Sequence, residues 1–299
     1  MKTAAVIGLG AMGRGVAKNL MQKNQVRGYD IVPQAVEKLA EAGGIGCTSP
    51  ADAAKDADAV FVIVMNGQQA HDVIFGENGC AETLKEGSVV VVNASIGAEN
   101  AKKLAEEAEG HAFTVLDCPM TGGSFGADAG TLTLMVSGEQ SAYEKVHDML
   151  ELISKKVYYV GTEVGLGQTV KSCLQAMVAN TCTAAVESLL LGTKAGLDPE
   201  MLAGAISDSV VGSGWFRHFS DKLINRDFEA GSAKITTLYK DVNITLELAH
   251  QVHVPMNATS HTFELFQTAF GRFPNEDVWS IAKLYESQAD EVIEKKQER

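Results

Sequence analysis

No stretch of about eighteen uncharged apolar residues, the length a membrane-crossing helix needs, occurs among the 299 residues. Met1 and Lys2 lead straight into an apolar, strand-like segment ending at Gly8, without a signal-peptide cleavage pattern. The expectation is a soluble, cytoplasmic protein with no membrane contact. Positive charge is also scarce: 25 Lys and Arg stand against 38 Asp and Glu, a formal charge of −13 with histidine neutral. That balance argues against nonspecific nucleic-acid binding. The five cysteines, Cys47, Cys80, Cys118, Cys173 and Cys182, are odd in number and scattered, and they form no C-x-x-C pair of the kind found in zinc ribbons and redox couples. Reduced, mostly buried thiols are expected. Internal repeats and low-complexity tracts are missing as well. Apolar material is not: 45% of the residues are hydrophobic and 21% charged, which excludes wholesale disorder and supplies sizeable cores, with two domains expected at this length.

From Lys2 to about Val160, short apolar runs alternate with helical patterns. The runs are Ala4–Ile7, Val26–Tyr29, Ala59–Val64, Ser88–Val92, Thr114–Leu116, Leu132–Val136 and Lys156–Val160. Several are apolar throughout, as strands covered on both faces must be, and they predict a doubly wound, mainly parallel α/β sheet. Crossover helices fit between them; Gln34–Ala42 places Ala35, Leu39 and Ala42 on one stripe, with Gly43 and Gly44 as the stop. After Gly161 the strand pattern ends. From about Gly167 to Ala195 the chain has no proline and few charges, predicting a helix of roughly 40 Å that is apolar on most of its circumference. Burial on nearly every side is expected, between domains or against another subunit. Gly196 ends it, and Asp198 with Pro199 restarts the chain as an N-cap followed by a first-turn proline. The remainder predicts an all-helical second domain with a frayed, charged tail, Glu294 to Arg299. The expected division is residues 1–163 and 164–299.

Gly8-Leu9-Gly10-Ala11-Met12-Gly13 follows the first strand and opens a helix from Met12 to about Gln22. The spacing suits a turn that brings backbone N–H groups and a helix N-terminus onto a pyrophosphate, as in a Rossmann dinucleotide-binding domain. The second strand ends in Asp30, near the usual spacing of the ribose-binding acid. Its charge would repel a 2′-phosphate, and Ile31-Val32-Pro33 offer no arginine to hold one, so NAD is expected in preference to NADP.

At this point the sequence resembles the β-hydroxyacid dehydrogenase family, which includes 3-hydroxyisobutyrate dehydrogenase, tartronate semialdehyde reductase and L-threonate dehydrogenase and is related to 6-phosphogluconate dehydrogenase. Four blocks carry the likeness nearly end to end: Gly8 to Gly15 with Asp30, Asp117 to Gly123, Gly165 to Lys171, and Lys240-Asp241. The resemblance implies a 6-phosphogluconate dehydrogenase-like fold and hydride transfer between a nicotinamide and a small hydroxy acid. It assigns the substrate carboxylate to Thr121, Gly122 and Gly123, with Thr121 keeping the hydroxyl of the family's usual serine. Independently, two glycines after a hydroxyl residue at a strand end let the backbone approach an anion closely. Lys171 matches the catalytic lysine, able to take the alcohol proton or stabilise the alkoxide. Gln175, one turn on, replaces the common asparagine and reaches about one methylene farther. With Ser213-Gly214-Trp215-Phe216 it favours the threonate-type branch and a polyhydroxylated acid over 3-hydroxyisobutyrate. Lys240 is assigned to the nicotinamide and substrate region, with Asp241 orienting local structure. Met65 is expected to pack near a cofactor ring and Ser95 to contact the nicotinamide ribose, while Ile96 has no polar role.

Glu247, His250 and His253 have helical spacing but lack complementary carboxylates, so no metal is expected. Trp215 and Phe216 are left open between core and substrate pocket. A semialdehyde reductase acting on tartronate or succinic semialdehyde, or a 3-hydroxyisobutyrate dehydrogenase, is the alternative within the enzyme class. A non-catalytic NAD-sensing protein would require loss of the reactive cation, which is present as Lys171, and the same lysine disfavours an imine reductase. The apolar helical domain implies a homodimer or homotetramer.

Overall fold

The computed structural model describes residues 1–229, 231 and 233–295. Residues 296–299 of the charged tail lie outside the described residues. The chain divides into two compact units, Met1–Lys171 and Ser172–Arg299.

The first unit opens with β1 (Thr3–Ile7), α1 (Ala11–Leu20), β2 (Gln25–Tyr29), α2 (Pro33–Glu41), β3 (Ile45–Gly46), α3 (Pro50–Ala54), β4 (Ala59–Val62) and α4 (Gly67–Phe75). It continues through β5 (Ser88–Val92), α5 (Ala98–Glu107), β6 (Phe113–Asp117), β7 (Met120–Thr121), α6 (Gly123–Ala129), β8 (Leu132–Ser137), α7 (Gln140–Ile153), β9 (Ser154–Gly161) and the start of α8 (Leu166–Lys194). The sheet order is β3-β2-β1-β4-β5-β6-β8-β7, with β9 paired to β8. Strands β1 to β6 run parallel, β8 is antiparallel to β6 and β7, and β9 is parallel to β8. Strand order reverses at β1, between β2 and β4, which is where a doubly wound sheet opens a crevice at its carboxyl edge.

The missing in/out alternation now has its reason. Ala4, Val6, Ala59, Phe61, Val89 and Val91 join one buried cluster, while their neighbours Ala5, Ile7, Val60, Val62, Val90 and Val92 join another on the opposite face. Burying a valine stabilises by about 1.5–3 kcal/mol, so both faces favour β-branched residues. Strands β3 and β7, at two residues each, were not foreseen.

The second unit is helical: the rest of α8, then α9 (Pro199–Ser207), α10 (Gly214–Ile224), α11 (Ile235–Gln251), α12 (Asn257–Arg272) and α13 (Ala282–Ala289). Asp198 caps α9 through the Met201 N–H, with Pro199 in the first turn. Val186, Leu189, Phe219, Leu223, Phe266 and Trp279 belong to its core.

Helix α8 spans 29 residues. Within the single chain one stripe of it stays open: Met177 is 70% and Leu191 73% exposed, and Ala184 between them is exposed too, the part of the expected burial that would fall to another subunit. Their spacing of seven puts them on one stripe, opposite the buried Ala179, Cys182, Val186 and Leu189. Among the described residues α8 is also the one helix long and apolar enough to cross a membrane, although half of its most apolar stretch is buried in the protein. Lys295, expected to fray, instead bonds Glu200 at 3.0 Å.

Candidate active site

Chemistry in the first unit begins at the turn after β1. Gly8 has φ +93°, and a Cβ there would lie 2.3 Å from the Ile63 carbonyl oxygen. A Cβ on Gly13 would lie 1.8 Å from the Gly8 carbonyl oxygen. Both positions exclude a side chain because of the protein's own backbone. Gly10 differs: it is the N-cap of α1, with an ordinary φ of −62°, and a Cβ there would meet nothing within 4 Å. The space beside it is open to a ligand, and no acidic side chain in the first turn neutralises the helix N-terminus.

Asp30 is drawn onto this turn. Its Oδ2 accepts from the Leu9 N–H at 2.6 Å and its Oδ1 from the Val32 N–H at 2.8 Å. Each oxygen keeps a lone pair for a ribose hydroxyl. Leu9 is buried and Met12 packs against the core, whereas Ala11 is exposed. The site therefore fits a dinucleotide: a side-chain-free N-cap for the pyrophosphate and an acid for the ribose. Met65, 54% exposed, follows β4, with its N–H bonded to the Gln69 side chain at 3.0 Å.

A buried polar cluster lies where β6, β8 and the 94–97 segment meet the start of α8. Asp117 is fully buried. Its Oδ2 accepts from the Gln168 N–H at 2.9 Å, the Gly165 N–H at 3.1 Å and the Ser137 hydroxyl at 3.1 Å. Its Oδ1 accepts from Gln168 Nε2 at 2.8 Å. Burial pushes the Asp117 carboxyl up to about 6, against the opposing pull of the Gln168, Ser137 and Gly165 donors. Gln168 Nε2 also donates to the Ala94 carbonyl at 3.0 Å, and its Oε1 accepts from the N–H groups of Ile96 at 3.0 Å and Gly97 at 3.1 Å. Ser95, half-buried, sits inside that clasped segment, and the Ile96 side chain is buried. Lys171, half-buried, stands three residues beyond Gln168 on the same helix. Sequence reasoning gave Asp117, Ser137 and Gln168 no role; the available signal was an acid in the apolar run Val115-Leu116-Asp117-Cys118.

Thr121 ends β7, and Gly122 and Gly123 have φ of +129° and +63°. Such angles suit glycine and leave the backbone bare. Burial pushes the Cys118 thiol far above its usual value, so it supplies no thiolate beside Asp117.

In the second unit, Gln175 and Asp241 are both buried, and Gln175 Nε2 donates to Asp241 Oδ2 at 2.5 Å. Asp241 Oδ1 stands 3.1 Å from Lys240 Nζ. Phe216 is buried in the core, and Trp215, half-buried, packs against it. Glu247 accepts a hydrogen bond from Asn243 at 2.6 Å, and among the described residues no three His, Cys, Asp or Glu side chains group as metal ligands. The predicted site residues thus divide between the units, with Gly8–Gly13, Asp30, Met65, Ser95, Thr121–Gly123 and Lys171 in the first and Gln175 and Lys240 in the second.

Two family profiles cover almost the whole chain: the NAD-binding domain of 6-phosphogluconate dehydrogenase over residues 3–161, and the NAD-binding region of NADP-dependent 3-hydroxyisobutyrate dehydrogenase over residues 165–285. An L-threonate dehydrogenase from Pectobacterium atrosepticum is 34% identical over 284 residues, 94% of this chain and 93% of its own length. The chain belongs to the β-hydroxyacid dehydrogenase family. Another similar family member, a 2-hydroxy-3-oxopropionate reductase from Escherichia coli K12, is 32% identical over 262 residues, covering 88% of this chain and 89% of its own. Among solved structures, a 3-hydroxyisobutyrate dehydrogenase from Salmonella typhimurium matches with a TM-score of 0.87 at 26% identity, covering 95% of this chain and all of that one. As a β-hydroxyacid dehydrogenase, the protein is an oxidoreductase that binds a nicotinamide cofactor and acts on a small hydroxy acid.

Proposed function

We propose that the enzyme oxidises a small polyhydroxylated acid of the L-threonate type, using NAD, with Lys171 as general acid/base. The observation that carries the substrate choice is the bond from Gln175 to Asp241. A carboxylate only accepts, so the Gln175 NH₂ faces Asp241 and the carbonyl Oε1 is the end of the amide left to meet a ligand. An amide carbonyl accepts from a hydroxyl and has no proton to donate to a carboxylate. The resemblance assigns the substrate carboxylate to the bare backbone at Thr121, Gly122 and Gly123, and the acceptor end of Gln175 suits a non-reacting hydroxyl. In 3-hydroxyisobutyrate that second hydroxyl is replaced by a methyl group, and a buried acceptor left without its donor costs about 1–3 kcal/mol.

When bound, the nicotinamide accepts the hydride from the hydroxyl-bearing carbon. Lys171 takes the proton leaving the hydroxyl in oxidation and returns it in reduction. Asp30 orients the adenine ribose and disfavours a 2′-phosphate, and the first turn of α1 receives the pyrophosphate at Gly10 to Gly13. Ser95 and Met65 border the cofactor, and family resemblance alone assigns Lys240 to the substrate and nicotinamide. The named relatives support the chemistry: one is an L-threonate dehydrogenase, the other a 2-hydroxy-3-oxopropionate reductase. The second supports the alternative reading, reduction of tartronate semialdehyde.

Steady-state kcat/KM values for L-threonate, D-glycerate, 3-hydroxyisobutyrate and tartronate semialdehyde, each with NAD(H) and NADP(H), test the assignment. L-Threonate with NAD is expected to lead the oxidations. A large advantage for 3-hydroxyisobutyrate would overturn the role given to Gln175, and a dominant reductase activity would favour the alternative. The exposed stripe of Met177, Ala184 and Leu191 supports assembly as a homodimer or homotetramer.

A further inference from the structure

We infer that Asp117, acting through Gln168 and Ser137, is a positioning residue for the reaction: it fixes the start of the helix that carries Lys171 to the segment that carries Ser95. The inference rests on the proposed role of Lys171 and extends it to residues that touch neither substrate nor cofactor.

Three features of the cluster support it. The first is the saturation of Asp117, whose two oxygens face four donors, all neutral: the Gln168 side chain, the Ser137 hydroxyl and the N–H groups of Gly165 and Gln168. Two of those N–H groups belong to the opening of α8, where an acid also complements the positive end of the helix dipole. Ser137 takes a third, from Gly167 at 3.0 Å, while donating to Asp117. The helix start is thus capped from the sheet, by residues at the ends of β6 and β8.

The second is the saturation of Gln168. Its amide has two donor and two acceptor positions, and all four are used, towards Asp117, Ala94, Ile96 and Gly97. One orientation satisfies every partner. The third is the fit at Gly167, where a Cβ would lie 2.9 Å from Asp117 Oδ2 and 2.5 Å from the Met135 carbonyl oxygen. Only glycine lets the helix start approach this closely. The consequence is a Lys171 backbone whose place relative to Ser95 is set before any ligand arrives, as a proton carrier aimed at a bound alcohol requires.

Asp117→Asn separates positioning from charge-free packing. The new NH₂ must point at Gln168 Nε2 or at the backbone N–H groups, so at least one hydrogen bond becomes a donor–donor contact. We expect kcat to fall about 10- to 100-fold, the cost of a small misplacement of a reacting group, with the Kd for NADH changed less than about threefold. Adding Gln168→Glu to the same chain restores that link, because the amide introduced at position 117 can then donate to the new carboxylate. The double variant leaves only the Ala94 carbonyl facing an oxygen, and it should recover at least about fivefold in kcat over Asp117→Asn. Ser137→Ala, which removes only the relay hydroxyl, should lower kcat in the same sense by a smaller factor, and it carries the test if Asp117→Asn fails to fold.

A wild-type kcat in a folded Asp117→Asn enzyme with a lowered Tm would make the cluster merely structural and overturn the inference. So would a double variant no better than the single one, or a wild-type kcat in Ser137→Ala. Lys171→Ala, assayed alongside, tells the two levels apart: if it retains turnover, the reading beneath the inference fails, whereas an inactive Lys171→Ala beside a fully active Asp117→Asn sinks the inference alone.

Discussion

Gly10 offers the sharpest separation of folding from binding. Gly8 and Gly13 have no room for a methyl group, but a Cβ on Gly10 meets nothing within 4 Å and its φ is already −62°. Gly10→Ala should therefore change folding stability by no more than about 1 kcal/mol, the reduced freedom of the unfolded chain roughly offsetting the poorer N-cap. In thermal unfolding without ligand, that is a shift of under about 4 °C. The same methyl stands in the space assigned to the pyrophosphate. Losing one charge-assisted hydrogen bond there costs about 1.5–3 kcal/mol, which weakens NADH binding about 10- to 100-fold. Gly13→Ala is the contrast: with 1.8 Å to the Gly8 carbonyl oxygen the backbone must move, and stability should drop by at least about 1–3 kcal/mol. Fluorescence titration with NADH and thermal melts of the apo protein report the two effects separately. If Gly10→Ala binds NADH as tightly as wild type, the turn after β1 does not hold the dinucleotide in the way argued.

Asp30→Ser should raise the ratio of kcat/KM for NADP over NAD by at least about tenfold, since it removes the charge facing a 2′-phosphate while keeping a hydroxyl for the Leu9 N–H; a wild type already preferring NADP would refute the assignment. The raised carboxyl of Asp117 sets a pH dependence: the native state holds its proton up to about 6 whereas the unfolded chain releases it near 3.8, so stability from this group falls as pH rises through that window. Urea unfolding of wild type and Asp117→Asn between pH 4 and 6 should show the wild-type advantage shrinking, and an advantage that grows with pH would contradict the burial argument. Met177→Asp with Leu191→Asp places charge on the open face of α8 and should lower the oligomeric mass seen by light scattering, without unfolding the chain; an unchanged mass would remove that face from the interface.

The strands were legible because a sheet covered on both faces writes itself as unbroken apolar runs: Ser88–Val92 was read at its observed limits. Helix α8 was legible through its lack of proline and charge, to within a residue at each end. Ile45–Gly46 and Met120–Thr121 were not, because two residues are too few to show a period. Composition does not say what covers each side of α8, since an apolar stripe reads the same whether it meets its own chain or a second copy, and Met177 and Leu191 are exposed in the single chain. In the site, the glycine turn and Asp30 were readable from local spacing. The bond from Asp117 to Gln168 joins residues 51 apart, and that from Gln175 to Asp241 joins residues 66 apart. Neither pair has any periodicity to reveal it, and only folding brings the Gln175 amide onto Asp241.

The central claim is that one amine carries the proton of the reacting hydroxyl. Lys171→Ala tests it most directly, with kcat on L-threonate measured beside the Kd for NADH in the same preparation. The account predicts a fall in kcat of at least about 100-fold, the upper part of the range for a positioned acid/base group, with NADH affinity within about threefold of wild type. Turnover within tenfold of wild type at unchanged NADH affinity would contradict it.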